Sequence, residues 1–292
     1  MKDIKSVQLV YFSGTGGTAR IAGYFENAFL KRGIKADKTE LNAGVPAAQF
    51  GADLLVVLFP VYACNAPEPV TGWLAGAEAG NGRPAAVIAV SGGGDISPNT
   101  ASRMGVIRQL EKKGYRIQYE SMFVMPSNFF VHYDDVLSAM ILKAAPGKAE
   151  RAAEEILSGR VRRTEPYFLD RVFSRFGTLE RRMGKLFGTQ LKPNDRCTGC
   201  AWCAGHCPGG NITMRDRRPV FGSRCVVCLR CVYGCPQKAI TPGFGKFFVL
   251  KDGYDLKTVE SRTEGMTEFP PVEQLAKGYL LKGVKKYLDD NK

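Results

Sequence analysis

The sequence predicts two folded units in one chain: a doubly wound α/β unit on a parallel five-stranded sheet, and a small cysteine-rich α+β unit. Three observations predict this. Apolar strand runs alternate with amphipathic helical stretches through the first half. Those strands end in loops rich in Gly, Pro, Ser and Asn, where such sheets form a ligand crevice. Eight of the nine cysteines fall within residues 197–235, in two copies of one pattern. The expected divisions are 1–160 for the α/β unit, 161–194 for a basic helical connector, 195–243 for the cysteine unit and 244–292 for an extension packing on the body.

Taken in order, the apolar run 7–12 reads as a buried strand. It leads through Ser13-Gly14-Thr15-Gly16-Gly17-Thr18 into a helix with Ile21, Phe25, Phe29 and Leu30 on one face. A Gly-rich turn from strand to helix aims backbone N–H groups and the helix dipole at an anion. The hydroxyls of Ser13, Thr15 and Thr18 suit a terminal phosphate. Strand 52–62 ends in Pro60-Val61-Tyr62-Ala63-Cys64-Asn65-Ala66-Pro67, and a helix is expected over 70–79. Strand 84–90 ends in Ser91-Gly92-Gly93-Gly94-Asp95, with a helix over 99–113. Strand 115–125 ends in Pro126-Ser127-Asn128, and a helix over 135–160 is expected to break at Pro146-Gly147. Strands joined by helical crossovers imply a parallel sheet covered on both faces. The glycine loop also fits the loose dinucleotide fingerprint, through Gly14, Gly16 and Ala19, with Asp37 where a ribose-binding acid belongs. The three hydroxyls and the two further strand-end loops favour FMN over that reading.

The two cysteine runs are Cys197, Cys200, Cys203, Cys207 before Pro208, and Cys225, Cys228, Cys231, Cys235 before Pro236. Both read C-x-x-C-x-x-C-x-x-x-C-P, the spacing that wraps a 4Fe-4S cubane. In doubled runs the fourth cysteine serves the other cluster. One set is therefore Cys197, Cys200, Cys203 and Cys235, and the other Cys225, Cys228, Cys231 and Cys207. Zinc sites normally use paired C-x-x-C units instead. Disulfides need an oxidising compartment, and the start Met1-Lys2-Asp3-Ile4-Lys5 lacks a secretory profile, so a cytoplasmic location is expected. No apolar run reaches the length of a membrane span.

At these residues a resemblance emerges. Residues 6–160 resemble the flavodoxins, with Gly17 where Asn is more usual in the phosphate loop. The cysteine stretch resembles the bacterial-type two-cluster ferredoxins. The whole chain resembles flavodoxin–ferredoxin fusion proteins of anaerobic microbes. The resemblance implies an FMN phosphate on Ser13, Gly14, Thr15, Gly16, Gly17 and Thr18. It implies a flavin ring between Pro60, Val61, Tyr62, Ala63, Asn65 and Ser91, Gly92, Gly93, Gly94. Tyr62 is then the stacking aromatic, and the backbone of 91–94 meets the polar edge. Asn128 is a further candidate contact. Cys64, Phe129 and Phe130 read as packing residues, as do Trp202 and His206 around a cluster; His132 has only its neighbourhood to recommend it as a proton donor.

Clusters carry single electrons and flavin carries one or two, so the implied function is an electron-transfer protein. The alternative is an FMN-dependent reductase acting on a small molecule or redox cofactor. No acid–base or nucleophile motif is present, which favours the carrier. The connector has Leu169, Val172, Phe173, Phe176, Leu179, Met183, Leu186 and Phe187 on one stripe, with Arg171, Arg175, Arg181, Arg182 and Lys185 largely off it. It reads as a linker helix docked on both units, with contact to an anionic membrane as the rival. The tail reads as a strand at 247–250 and one helix over 271–290. The net charge is +13, and residues 197–243 hold six basic residues against one acidic. An acidic redox partner docking near Arg215, Arg217, Arg218, Arg224 and Arg230 is expected; charge alone does not argue for nucleic acid.

Overall fold

A computed structural model describes residues 4–43, 51–175 and 178–290, with 178–183 described by backbone only. Its centre is a parallel sheet of β1 (Ser6–Tyr11), β2 (Lys35–Glu40), β3 (Leu54–Pro60), β4 (Pro84–Ser91) and β5 (Arg116–Val124), in the order β2-β1-β3-β4-β5. This is the flavodoxin-like doubly wound order, whose ligand crevice lies where β1 and β3 diverge. The sequence runs single out four of these strands. The fifth, β2, reads Lys-Ala-Asp-Lys-Thr-Glu and buries only Ala36. It is an edge strand paired to β1 from Ser6↔Lys35 onward, and its charges keep the open edge from pairing further.

Helices cover both faces. On one, α1 (Gly17–Leu30) buries Ile21, Ala22, Phe25, Ala28 and Phe29, a helical stripe, against α4 (Asp135–Leu157) and the sheet. On the other lie α2 (Glu68–Gly76) and α3 (Met104–Lys112), packed through Val70, Leu74, Val106 and Leu110. Each fully buried aliphatic here stabilises the fold by roughly 1.5–3 kcal/mol. Helix α4 starts on an Asp134 carboxylate that accepts the Leu137 N–H at 2.7 Å. It runs through Pro146 without the expected break. Ala145, Ala149, Ala152 and Ala153 are all buried in one core cluster, so packing on both sides of the proline holds it in line.

The second unit begins with α5 (Phe168–Arg175) and α6 (Thr178–Gln190), then β6 (Lys192–Pro193), α7 (Trp202–Gly205), the hairpin β7 (Ile212–Arg215) and β8 (Arg218–Phe221), α8 (Arg230–Gly234) and β9 (Ile240–Thr241). Its small core holds Phe187, Leu191, Ile212, Leu229, Ile240 and Phe248 beside the cysteines. The connector is not helical throughout: Arg162 pairs with Tyr119 as an extended bridge. Nor is its stripe buried throughout, for Leu169 and Phe173 of α5 and Leu186 of α6 stand in solvent while Phe187 is buried. The side chains of Phe176, Leu179, Arg181, Arg182 and Met183 lie outside the described residues.

In the tail, 3₁₀ turn Gly243–Phe247 replaces the expected strand, because Phe247 and Phe248 stack with Phe129 and Phe130 and not with a sheet edge. The expected single helix is α10 (Val272–Leu275) and α11 (Lys282–Asp289), separated at Gly278, whose φ of 83° no helix admits. Another helix, α9 (Leu256–Arg262), precedes them. Leu256, Val272, Val284 and Tyr287 join the α1/α4 core.

Candidate functional site

The loop between β1 and α1 is built for an anion. Gly16 takes φ 98°, and a Cβ there would meet nothing within 4 Å, so its outward side is open. Helix α1 has no side-chain cap. Among the described residues, no hydrogen bond engages the amides of Gly14, Thr15 or Gly16. Open amides at a helix start suit a phosphate. The hydroxyls are less free than the sequence implies. Ser13 Oγ is buried and accepts the Ala19 N–H at 3.2 Å. Thr18 is buried in the α1 face. Thr15 Oγ1 accepts from Asn128 Nδ2 at 2.8 Å, which brings the third strand-end loop to the first.

The Pro60–Asn65 loop closes as a tight turn. Tyr62 N–H donates to Asn65 C=O at 2.9 Å and Asn65 N–H returns to Tyr62 C=O at 2.8 Å. Ala63 and Cys64 carry the turn at φ 43° and 61°, the left-handed conformation that glycine usually takes in such turns. Tyr62 meets Phe12 edge to face, with centroids 6.3 Å apart, and its hydroxyl abuts Gly14. In the Ser91–Gly94 loop, Ser91 Oγ accepts the Gly93 N–H at 3.0 Å, and Tyr133 Oη donates to the Gly92 carbonyl. That burial pushes the Tyr133 phenol far up. Gly94 backs directly on Gly283 of α11, so the tail flanks this loop.

Two residues that hold these loops carry no sequence motif. Arg103 is completely buried, with Nε 2.8 Å from Glu120 and a second nitrogen 3.2 Å from Asp95, the last residue of the β4 loop. Arg230 lies between Cys228 and Cys231. Its Nε donates to the Gly14 carbonyl at 2.8 Å, another nitrogen donates to the Ser13 carbonyl, and Glu40 stands at 2.5 Å. The expected partner-facing arginine therefore points into the protein. A Cβ on Gly14 would fall 2.9 Å from the Cys228 carbonyl oxygen, so the two loops are in direct contact.

The cysteines gather in two places. Cys197, Cys200, Cys203 and Cys235 line one pocket with Trp202, Met214, Pro219 and Ile240. Cys207 stands with Cys225, Cys228 and Cys231: burial pushes the Cys225 thiol up to about 12 and Cys228 up to about 11, and the nearby Cys207 adds to both. Burial also raises Cys231 well above the ordinary thiol range, with Cys228, Cys225 and Cys207 adding to it. Such thiols ligate only once a bound cation draws off their protons. Backbone N–H groups of Asn211, Val227 and Ala239 point at the sulfurs of Cys207, Cys225 and Cys235 at 3.3–3.4 Å. Hydrogen bonds of this kind tune the potential wherever cysteine sulfurs ligate an iron–sulfur cluster. Among the described residues, no three His, Cys, Asp or Glu side chains are arranged for a metal ion. A cubane differs from one ion, since each thiolate meets its own iron at a separate corner. Two sets of four cysteines fit the ligand demand of two cubanes, and the open amides of the β1–α1 loop fit a phosphate.

Supporting residues complete the cysteine unit. Trp202 stacks on His206 with centroids 4.2 Å apart and packs on Gly234, so both are packing groups in this structure. Gly188 of α6 lies against Cys225, where a Cβ would come within 2.6 Å of the cysteine Cβ, and Gly184 lies against its carbonyl. The hairpin tip carries Arg217 beside Gly199, between the first two cysteines. Arg215, Arg217 and Arg218 are exposed there, whereas Arg224 folds back on the Gly210 carbonyl at 2.5 Å.

No family model matches the chain. No curated protein matches it either. Among solved structures, a Streptococcus pneumonia TIGR4 flavodoxin is similar at 18% identity and a TM-score of 0.40, covering 52% of this chain and 98% of that one. The general stress protein 14 of Treponema denticola, in complex with FMN, shows 16% identity and a TM-score of 0.36 over 52% of this chain and 96% of its own. A rubredoxin oxygen:oxidoreductase of the anaerobe Desulfovibrio gigas shows 13% identity and a TM-score of 0.37 over 54% of this chain and 37% of its own.

Proposed function

We propose that the chain is a cytoplasmic electron-transfer protein that couples two 4Fe-4S clusters to FMN. In this reading Cys197, Cys200, Cys203 and Cys235 hold an outer cluster, and Cys207, Cys225, Cys228 and Cys231 hold an inner one. The amides of residues 14–18 would hold the FMN phosphate, and the 60–65 and 91–94 loops with Asn128 would hold the ring. Flavin supplies the exchange between one- and two-electron chemistry. The chain's own groups bind and orient the cofactors and exclude water from between them.

The observation that carries this reading is Arg230. One guanidinium sits between two inner-cluster cysteines and donates to the carbonyls of Ser13 and Gly14 in the phosphate loop. This contact sets the cysteines of the proposed inner cluster directly against the loop of the proposed flavin site, and closeness is what electron transfer between the two needs. At the far end the exposed Arg215, Arg217 and Arg218 flank the outer set, a suitable dock for an acidic redox protein. In this order the exposed arginines would receive the partner, the two cysteine sets would hold the one-electron carriers between it and the flavin site, and the β1–α1 loop would hold the flavin that exchanges one and two electrons. A reductase acting on a free small molecule needs an open flavin face. Cys228 and Val226 share a hydrophobic cluster with Val61 and Tyr62 of the 60–65 loop, which supports the carrier instead.

Anaerobic stopped-flow reduction tests the order. With an acidic carrier as donor, cluster absorbance should bleach before flavin absorbance, and flavin reduction should not depend on protein concentration. Flavin reduced first, or at a rate proportional to concentration, would refute the proposed path.

A further inference from the structure

Helix α5 has its polarity inside out. Asp170 is fully buried, accepting from Ser97 Oγ at 2.6 Å and from the Thr100 N–H and hydroxyl at 3.2 and 2.5 Å. On the same side Ser174 Oγ donates to Asn65 Oδ1 at 2.7 Å, and its carbonyl accepts from Asn65 Nδ2 at 3.1 Å. The polar face is thus fixed to the body. The opposite face presents Phe168, Leu169 and Phe173 at 78%, 65% and 57% exposure, with Val172 between them and Tyr167 just before. Contiguous exposed apolar side chains on a soluble protein mark a contact surface. Arg171 and Arg175 flank the apolar face, and no carboxylate pairs with either among the described residues.

We propose that α5 is an interfacial anchor that lays its apolar face on an anionic lipid surface. Phenylalanine and leucine entering the headgroup boundary beside arginines is the composition of such helices. Each arginine near an anionic leaflet adds attraction, while the side chains that point inward remain bonded to protein. A second copy of this chain is the poorer complement, because it brings the same Arg171 and Arg175 to the same face, with one exposed acid, Glu165, just before the helix. No described helix is long and apolar enough to cross a membrane, so the contact lies on the surface. The inference rests on neither cofactor.

The test is co-sedimentation of the full chain with phosphatidylcholine vesicles, with and without phosphatidylglycerol, at low salt. The protein should pellet with the anionic vesicles only. The double substitution Phe168→Ser/Phe173→Ser should weaken binding at least about tenfold. Arg171→Glu/Arg175→Glu should weaken it roughly twentyfold or more. A Phe168→Trp variant reports independently of any folding defect, and its emission should shift to the blue on anionic vesicles. Absence of pelleting and of the shift overturns the proposal. So does a dimer in sedimentation that the double serine variant dissociates, which would make the face an interface between copies.

Discussion

Replacing Arg230 with methionine keeps most of the side chain's bulk and removes its donors. In the native arrangement the guanidinium bonds two phosphate-loop carbonyls and Glu40. Hydrogen bonds involving a charged group contribute about 1.5–3 kcal/mol each. The Glu40 side chain is 35% exposed, so the ion-pair part is discounted to about 1 kcal/mol or less. Losing the contacts together, with some relief from water entering at the rim, should cost about 2–4 kcal/mol. If half of that reflects the fixed shape of the loop, FMN affinity falls about tenfold, since 1.4 kcal/mol is a factor of ten. Fluorescence titration of FMN into flavin-free protein measures this directly, with thermal unfolding alongside. Arg230→Lys should fall between, because one ammonium cannot reach three acceptors at once. An Arg230→Met protein with unchanged FMN affinity and unchanged melting would refute the claim that this residue joins the two sites.

Three further outcomes are expected. Cys207→Ala should remove the cluster whose other ligands are Cys225, Cys228 and Cys231, and Cys235→Ala the cluster of Cys197, Cys200 and Cys203; EPR of the reduced variants distinguishes them, and loss of the cluster nearest in sequence would overturn the crossed sets. Arg103→Met takes away the charged partner of Asp95 and one partner of the buried Glu120, which keeps the Thr164 N–H and Arg163, and should destabilise the protein by about 2–4 kcal/mol in chemical denaturation; a loss below about 1 kcal/mol would mean the pair is not buried as described. Electron transfer with an acidic carrier should slow as salt rises and slow further in Arg217→Glu/Arg218→Glu, and a rate indifferent to both changes would put the partner elsewhere.

What the sequence disclosed, and what it hid, follows from the range of each signal. The phosphate loop and the cysteine runs are local, so their residues could be named outright. Four strands announced themselves as apolar runs because both faces of the sheet are covered. Strand β2 did not, because an edge strand with one buried residue has no such run. Arg230 is invisible as a site residue because its partners are distant in the chain, 216 residues separating it from Gly14; Arg103 has its partners 8 and 17 residues away, in no recognisable motif. Arg230 was instead counted with the partner-facing arginines, which its inward contacts correct. The exposed face of α5 was misread for a related reason. Periodicity reveals that a helix has an apolar side, but Asp170 and its partners decide which side faces inward. The tail's breaks fall where aromatic packing and a positive φ at Gly278 outweigh helical periodicity. Gly184 and Gly188 did offer a readable signal, two glycines one turn apart on a helix, which marks close approach of another backbone.

The central claim is that one chain holds a flavin and two cubanes, and cofactor content tests it most directly. Protein purified without oxygen should release one equivalent of FMN on heating. It should also carry the iron and acid-labile sulfide of two four-iron clusters, with a broad visible absorbance that dithionite bleaches. Zinc in place of iron, iron for a single cluster, or recovery of NAD or FAD in place of FMN would contradict the account.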